Sequence, residues 1–203
     1  MKTIGITGGV GAGKSLILNY IASHYRAKIY MADDIANDLK EPGQSCYEPI
    51  VAMLGTEILD TDERIDKYKM AERIFQDREL LVQVNEILHP AVKKYVLTEI
   101  EREREKQETD FFILEAALLI EERYDEILDE LWYIYAEEEV RRKRLRQSRG
   151  YSEEKIRNIM KQQLPDEVFR KHCKVMIENN DHPEETYRQI DKKLGEYISA
   201  EGK

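Results

Sequence analysis

The segment that most constrains this chain is GGVGAGKS, residues 8–15, which follows the apolar run TIGIT and leads into an amphipathic stretch ending near residue 25. It matches the pattern G-x-x-x-x-G-K-[ST] in full, in the strand–loop–helix context that this pattern requires. The glycines let successive backbone amides face one point, and the helix that begins there adds the positive end of its dipole. The sequence therefore predicts an α/β fold with a phosphate-binding loop after its first strand.

Two side chains at the end of this loop predict that the bound phosphates belong to a nucleoside triphosphate. Lys14 can reach the outer phosphates, and the hydroxyl of Ser15 suits a Mg²⁺ ion that bridges them. A dinucleotide-binding loop is excluded, because its pattern G-x-G-x-x-G would require glycine at Lys14 or at Leu16. A switch GTPase is disfavoured, since the chain contains no base-reading N-K-x-D string.

Short apolar runs alternate with longer amphipathic stretches along the chain, as in a parallel α/β fold. The last stretch, about 183–198, is predicted as a helix that packs Tyr187, Ile190, Leu194 and Ile198 into the core. The predicted strands are 3–7, 27–30, 111–114, 131–135 and 175–177.

Two amphipathic regions are too long to be simple connections between strands. The first, 60–108, is predicted as a helical insertion that the dipeptide His89-Pro90 interrupts, because proline disfavours helical geometry in the residue before it. The second, 137–172, is predicted to break at residues 150–152, where a glycine ends one helix and a serine caps the next.

The composition excludes several classes of protein. With 41% hydrophobic and 36% charged residues, the chain has enough apolar material for a packed core and is not low-complexity. No apolar run approaches the roughly 20 residues of a membrane span, and the net charge of −9 disfavours nucleic acid as a partner. Two isolated cysteines, Cys46 and Cys173, fit a reducing compartment. We expect a soluble cytoplasmic protein.

Residues 141–149, RRKRLRQSR, concentrate six cations without an acid in an otherwise acidic chain. Such a cluster fits a focused site for a small anionic ligand. It equally fits a solvated helix face whose arginines pair with the glutamates at 137–139, one turn earlier. Charge alone leaves both interpretations open.

Carboxylates follow two of the predicted strands, at the edge where ligands bind in open α/β sheets. Asp33 and Asp34 come just after the second strand. One of them could take a proton from an acceptor hydroxyl or hold Mg²⁺ through water, and either could instead cap the next helix. Glu115 ends the third strand, where it could support Mg²⁺ through water.

Six segments carry a resemblance to a known family: GGVGAGKS, ADDIA…EPG, ERIF, LHP, EAALLIE and IENN. In this order they are similar to the dephospho-coenzyme A kinases over nearly the whole chain. The resemblance implies transfer of the γ-phosphoryl group of ATP to the ribose 3′-hydroxyl of dephospho-coenzyme A, the last step of coenzyme A biosynthesis. It also implies a single domain: a five-stranded parallel core flanked by helices (about 1–60, 109–136 and 174–203), a helical acceptor-binding insertion (about 61–108) and a helical lid (about 137–173).

The resemblance assigns roles to residues by position. Asp33 is expected to be the catalytic carboxylate, assisted by Lys14 and by the lid arginine Arg144. Gln163 and Asn179 match two further polar positions of the family. The residues expected to contact the acceptor are Asp33, His89, Pro90, Leu118 and Leu119. The residues expected to bind ATP are Gly8, Gly9, Gly11, Ala12, Gly13, Lys14, Ser15, Leu16 and Arg170, with Ser15 also a ligand of Mg²⁺.

The chain departs from the family pattern at several positions, and two other functions stay open. We interpret the departures as drift within a functioning enzyme, because the phosphate loop and Asp33 are intact. A kinase for another hydroxyl acceptor, such as a nucleoside monophosphate, would share the loop and the lid. A regulator that binds ATP without transferring phosphate would share the loop alone. The departures are Leu16, Met31, Asn37, Ala117 and Ser148.

Overall fold

The apolar runs of the sequence form the strands of one sheet. The computed structural model describes residues 1–75 and 77–201, and within them the sheet has five strands. Each predicted strand is confirmed, with no end shifted by more than one residue. The strands are β1 (Lys2–Thr7), β2 (Ala27–Met31), β3 (Phe111–Glu115), β4 (Glu130–Tyr135) and β5 (Val175–Glu178).

The sheet is parallel and has the order β2-β3-β1-β4-β5, which confirms the predicted fold class. Gly5 of β1 lies opposite Leu114 of β3 on one side and Leu131 of β4 on the other. The segment that follows β1 therefore starts between the carboxyl ends of β3 and β4. Open α/β sheets bind their ligands at the carboxyl ends of the strands. The site lies where the connections on its two sides lead to strands in opposite directions along the sheet.

Helices account for most of the remaining chain. They arise where apolar residues recur at helical spacing, with the polar face toward solvent. The helices are α1 (Lys14–His24), α2 (Ala32–Asp38), α3 (Tyr47–Leu54), α4 (Lys67–Phe75), α5 (Arg78–Lys106), α6 (Glu138–Arg149), α7 (Glu153–Lys161), α8 (Asp166–His172) and α9 (Pro183–Glu201).

The chain divides into two compact units, residues 1–30 with 103–203 and residues 31–102. The core of the first unit is the sheet, whose central strands are buried on both faces. Trp132 is fully buried and Tyr133 nearly so. The Tyr133 ring stacks on Phe169 of α8, with 4.6 Å between ring centroids.

Helices α1 and α9 pack against each other in the first unit. The rings of Tyr20 and Tyr187 stack at 3.9 Å, and the Tyr20 and Tyr25 hydroxyls both donate to Asp191. The predicted burial of Ile198 is wrong, because its side chain is 48% exposed whereas that of Leu194 is fully buried. Ile198 therefore does not continue the apolar contact that Ile190 and Leu194 make.

The predicted break at residues 150–152 is confirmed. Helix α6 ends at Gly150, which adopts a left-handed conformation with φ of 61°. The Ser152 hydroxyl then accepts a hydrogen bond from the Lys155 backbone amide at 3.3 Å, which caps α7. Glu153 and Glu154 lie in the first turn of α7, where the helix dipole favours negative charge.

In the second unit, the predicted interruption at His89-Pro90 is wrong, because α5 continues through Pro90. Proline inside a helix costs about 3 kcal/mol, since it removes one backbone hydrogen bond and crowds the preceding turn. Leu88, Val92 and Val96 are all buried on either side of Pro90. Burial of each such side chain contributes about 1.5–3 kcal/mol, so packing offsets the local preference of the dipeptide. In the part of the chain that the structure describes, no helix combines the length and apolar character needed to cross a membrane.

Candidate active site

The loop between β1 and α1 curls around its own backbone, as the glycine pattern predicted. Gly13 has φ of 89° and directly precedes the first residue of α1, so the amides of the first helical turn face the loop. A Cβ on Gly13 would lie 2.3 Å from Asn179 Nδ2, so only glycine fits there. The positive end of α1 and the loop amides together form an anion-binding concavity.

Lys14 is the first residue of α1, and its side chain reaches back to the beginning of the loop. Its ammonium group donates to the Gly8 carbonyl at 2.8 Å and lies 3.4 Å from Glu115 Oε1. The two side chains are only 16% and 13% exposed. Glu115 ends β3 and Gly8 follows β1, and the pairing of these two strands brings their ends together. The buried ammonium of Lys14 therefore lies at the loop that is predicted to bind phosphates. Glu115 thus lies beside the phosphate loop, as predicted.

The far end of the loop is held by a buried amide. Asn179, which follows β5, donates from Nδ2 to the Ala12 carbonyl at 2.7 Å. Its own Oδ1 accepts from the Thr186 hydroxyl of α9 at 3.0 Å. Both side chains are almost fully buried. The contacts of Asn179 fix the loop backbone just before the helix.

Two arginines of α6 also contact the loop carbonyls. Arg144 Nη1 donates to Ala12 at 3.3 Å, and Arg141 Nε donates to Val10 at 3.0 Å. Arg141 Nη2 additionally donates to Gln163 Oε1. Burial lowers the pKa of both guanidinium groups. Positive charge is thus held against the phosphate loop.

The cations of the basic cluster divide between two faces of α6, so the two interpretations apply to different residues. Arg142 pairs with Glu138 and Glu153, and Arg146 pairs with Glu153. This outer face is a helix surface whose arginines form ion pairs, as the neighbouring glutamates led us to expect. Arg141 and Arg144, three residues apart, form the inner face toward the loop.

These features together fit a nucleoside triphosphate site, and the comparison with known proteins agrees. The sequence profile of a family described as dephospho-CoA kinase matches residues 2–185. The chain belongs to this family.

Relatives of the dephospho-CoA kinase family align along nearly their whole length. The dephospho-CoA kinase of Aquifex aeolicus is 37% identical over 193 residues, covering 95% of each chain. That of Carboxydothermus hydrogenoformans is 34% identical over 190 residues, covering 94% of this chain and 91% of the relative. The crystal structure of TT1252 from Thermus thermophilus superposes with a TM-score of 0.77 at 27% identity, covering 96% of this chain and 97% of the other.

Membership of the dephospho-CoA kinase family confirms the predicted reaction class. The chain is a transferase that phosphorylates dephospho-coenzyme A in the last step of coenzyme A biosynthesis, with ATP as co-substrate. The roles of individual residues in this reaction stay predictions. The structure places these residues in different surroundings.

In the second unit, Asp33 and Asp34 lie in the first turn of α2 and are exposed. The predicted capping role is wrong, because Met31 occupies the N-cap position and makes no side-chain hydrogen bond there. The helix begins earlier than the sequence suggested, at Ala32, so both aspartates stand inside it. The helix dipole still favours their charge, and neither carboxylate is used as a cap.

The residues expected to contact the acceptor have different surroundings. Leu118 is 43% exposed, whereas Leu119 is fully buried. A Cβ built on Gly5 would lie 2.8 Å from Leu119 Cδ1, so Leu119 packs directly on β1. His89 and Pro90 lie in the middle of α5 in the second unit. Of these residues, Leu118 and Pro90 are exposed, His89 is partly exposed and Leu119 is buried.

Two residues expected to bind ATP also differ in position. Ser15 is exposed in the first turn of α1, immediately after Lys14. Arg170 pairs with Asp166 of the same helix, and its guanidinium lies 4.9 Å from the centroid of the Tyr135 ring. Its contacts are therefore with β4 and α8.

The donor set fits a magnesium ion that is held mainly by phosphate. Mg²⁺ keeps several waters and is usually bound through one or two protein groups together with substrate phosphates. Within residues 1–75 and 77–201, no group of three or more His, Cys, Asp or Glu side chains is placed to hold a metal by itself. The exposed Ser15 hydroxyl and the Glu115 carboxylate near Lys14 are the oxygen donors at the loop.

Sequence reasoning missed the contacts of Arg141. Its position in an undivided run of cations gave no sign that it differs from Arg142. The available signal was the spacing of Arg141, Arg144 and the buried Leu145, which share one face of α6.

Proposed function

We propose that this chain binds the triphosphate of ATP with its phosphate loop, Lys14 and Arg144, and that Asp33 accepts the proton of the acceptor's 3′-hydroxyl. The observation that carries the ATP site is the position of Lys14. Its ammonium is held between the Gly8 carbonyl and Glu115 at the amino end of α1. This arrangement supports a cation aimed at the β- and γ-phosphates.

Catalysis by these residues rests on positioning and charge. The transferring phosphoryl group passes through a loose transition state whose charge spreads over three oxygens. Lys14 and the loop amides draw that charge toward the enzyme. Arg144, which already contacts Ala12, adds a second cation from α6. Because these groups are placed before ATP binds, little reorganisation opposes the reaction.

We propose that Ser15 binds Mg²⁺ together with phosphate oxygens, and that Glu115 contacts it through water. When bound there, the ion neutralises phosphate charge and helps to hold the outer phosphates in line. Ser15 immediately follows Lys14 and is exposed, which leaves its hydroxyl accessible. Leu16, the next residue, offers no second hydroxyl, so Ser15 would supply the loop's side-chain oxygen.

Asp33 would orient the acceptor hydroxyl and take its proton. The carboxylate is exposed, two residues after the end of β2, and is not engaged as a helix cap. His89, Pro90 and Leu118 would contribute to acceptor binding, and Arg170 to ATP binding. Leu119 is buried against β1 and would support the segment that carries Leu118. We also propose a cytoplasmic location and no nucleic-acid partner, in keeping with the net charge of −9.

Product identification tests the reaction directly. The full chain is incubated with ATP, Mg²⁺ and dephospho-coenzyme A, and the products are separated and weighed by mass spectrometry. We expect one coenzyme A for each ADP, and digestion with a 3′-nucleotidase should return dephospho-coenzyme A. Parallel reactions with nucleoside monophosphates should give far less ADP. Tight ATP binding without transfer to any acceptor would contradict the proposal.

A further inference from the structure

Arg141 of α6 lies directly against the phosphate loop. Its Nε donates to the Val10 carbonyl at 3.0 Å, and its Nη2 donates to Gln163. A Cβ added to Gly9 would lie 2.3 Å from Arg141 Cζ. The guanidinium therefore lies directly on the backbone at Gly9, and only glycine allows this approach.

This cation lacks a carboxylate partner within the described residues. Arg142, its neighbour in sequence, forms ion pairs with both Glu138 and Glu153. Arg141 instead has only two neutral oxygen acceptors, and burial lowers its pKa. Glu138 and Asp166 lie near enough to favour its charge but form no ion pair with it. The guanidinium can therefore exchange its neutral acceptors for a phosphate, which accepts stronger, charge-assisted hydrogen bonds. The two contacts orient the guanidinium fork and leave Nη1 without an acceptor among the described residues.

The cations near the loop are arranged in the order of its backbone. Lys14 Nζ contacts the Gly8 carbonyl, Arg141 lies at Gly9 and Val10, and Arg144 contacts Ala12. In loops of this pattern the lysine reaches the β- and γ-phosphates, while the amides at the helix end surround the inner phosphates. Arg141 is therefore on the γ-phosphate side of the loop and Arg144 on the side of the inner phosphates.

We propose that Arg141 is a catalytic residue that binds the γ-phosphate of ATP, and that Gln163 is the positioning residue that holds its guanidinium. The proposal rests on the function proposed above. It assigns a role to a residue that the sequence identified only as part of the basic cluster. As charge spreads over the equatorial oxygens during transfer, a guanidinium fork can donate to two of them.

The test compares ATP with ADP, which differ in the γ-phosphate alone. Affinities are measured by calorimetry for the full chain and for Arg141→Gln, Arg144→Gln and Arg142→Gln. Loss of one charge-assisted hydrogen-bonding group should weaken ATP binding by Arg141→Gln by about tenfold. Its ADP affinity should stay within about twofold of wild type. Arg144→Gln should weaken both nucleotides, and Arg142→Gln should weaken neither.

Turnover gives the second readout. Arg141→Gln should lower kcat by about 10²–10³, the range for one donor aimed at developing charge. Gln163→Leu should show the same preference for ADP with a smaller loss, because the arginine remains but is less well oriented. An unchanged ratio of ATP to ADP affinity in Gln163→Leu would refute the positioning role.

Two results would overturn the assignment of Arg141. Equal weakening of ATP and ADP would place its contact away from the γ-phosphate, and unchanged affinity and kcat would remove it from the site. Thermal unfolding shows whether Arg141→Gln is folded. If it is not, Arg141→Lys keeps the charge without the fork and should still lose ATP affinity relative to ADP. Failure of the proposed function is separate, because wild type and Arg142→Gln would then form no coenzyme A whatever the nucleotide affinities.

Discussion

The Lys14 ammonium lies 3.4 Å from the Glu115 carboxylate, and both side chains are largely buried beside the phosphate loop. The pair joins the first turn of α1 to the end of β3, two segments about a hundred residues apart in the chain. A buried carboxylate opposite the lysine keeps its ammonium at the loop entrance before ATP arrives. The same carboxylate lies close enough to the loop to act on a bound cation through water.

Lys14→Ala should weaken ATP binding and nearly abolish turnover. The substitution removes the cation at the β- and γ-phosphates, where charge develops during transfer. The fold should remain, because the side chain makes polar contacts only to Gly8 and Glu115. Steady-state kinetics, ATP calorimetry and circular dichroism measure the three effects.

Lys174→Ala is the matched control for this prediction. Its ammonium also donates to a backbone carbonyl, that of Asp129 at 2.9 Å, just before β4 begins. That position is at the opposite edge of the sheet from the phosphate loop. Turnover near wild type in Lys14→Ala, or equal losses in both variants, would show that the loop assignment is wrong.

Asp33→Asn should lower turnover by about 10²–10⁴, the range for one positioned acid–base group, with ATP affinity within a few-fold of wild type. Asparagine keeps the shape of the side chain and removes the charge that draws the acceptor's proton. Helix α2 should be unaffected, because Asp33 is not its cap. Kinetics with saturating ATP, and ATP affinity measured separately, provide the check.

Asp34→Asn controls for the loss of a carboxylate in the same helical turn, and it should cost far less. If Asp34→Asn is the inactive variant and Asp33→Asn stays active, the alignment with the family is displaced by one residue. Activity in both variants would exclude a carboxylate mechanism at this position.

Hydrogen exchange within residues 140–172 should slow when ATP and the acceptor are both present. Arg141 and Arg144 contact loop carbonyls, which are neutral acceptors. Phosphates offer these cations stronger, charge-assisted hydrogen bonds, so α6 and α7 should close over the site. Mass spectrometry of peptides from this segment measures the change. Protection that is the same with and without substrates would argue against a closing lid.

Asn179→Asp should destabilise the protein by about 1–3 kcal/mol and weaken ATP binding. The change replaces the amide donor to Ala12 with a carboxylate oxygen, so two acceptors face each other in a buried position. Asn180→Asp is a matched control, because Asn180 uses its oxygen to accept from the Glu137 amide and aspartate keeps that oxygen. Chemical denaturation and ATP calorimetry compare the two. Equal effects at both positions would contradict the role given to the Asn179 amide.

Much of the fold could be predicted because its local signals agree. Five nearly continuous apolar runs became five strands, and the glycine loop and Ser152 acted as the backbone chemistry predicts. The failures came where packing overrides a local preference. Pro90 lies inside α5 because buried side chains on both sides of it stabilise the helix, and Ile198 is exposed although it fits the apolar spacing of α9.

The sequence by itself determined the phosphate loop, because the glycines, Lys14 and the helix start all act within eight consecutive residues. It also determined the parallel α/β class and the family. Only the tertiary structure decided which cations serve the loop. Arg141 and Arg142 are neighbours of the same type, yet one contacts Val10 and the other pairs with two glutamates. The direction of a side chain depends on how its helix packs on distant segments. The spacing of Arg141, Arg144 and Leu145 places them on one face of α6, but only the packing shows that this face meets the loop.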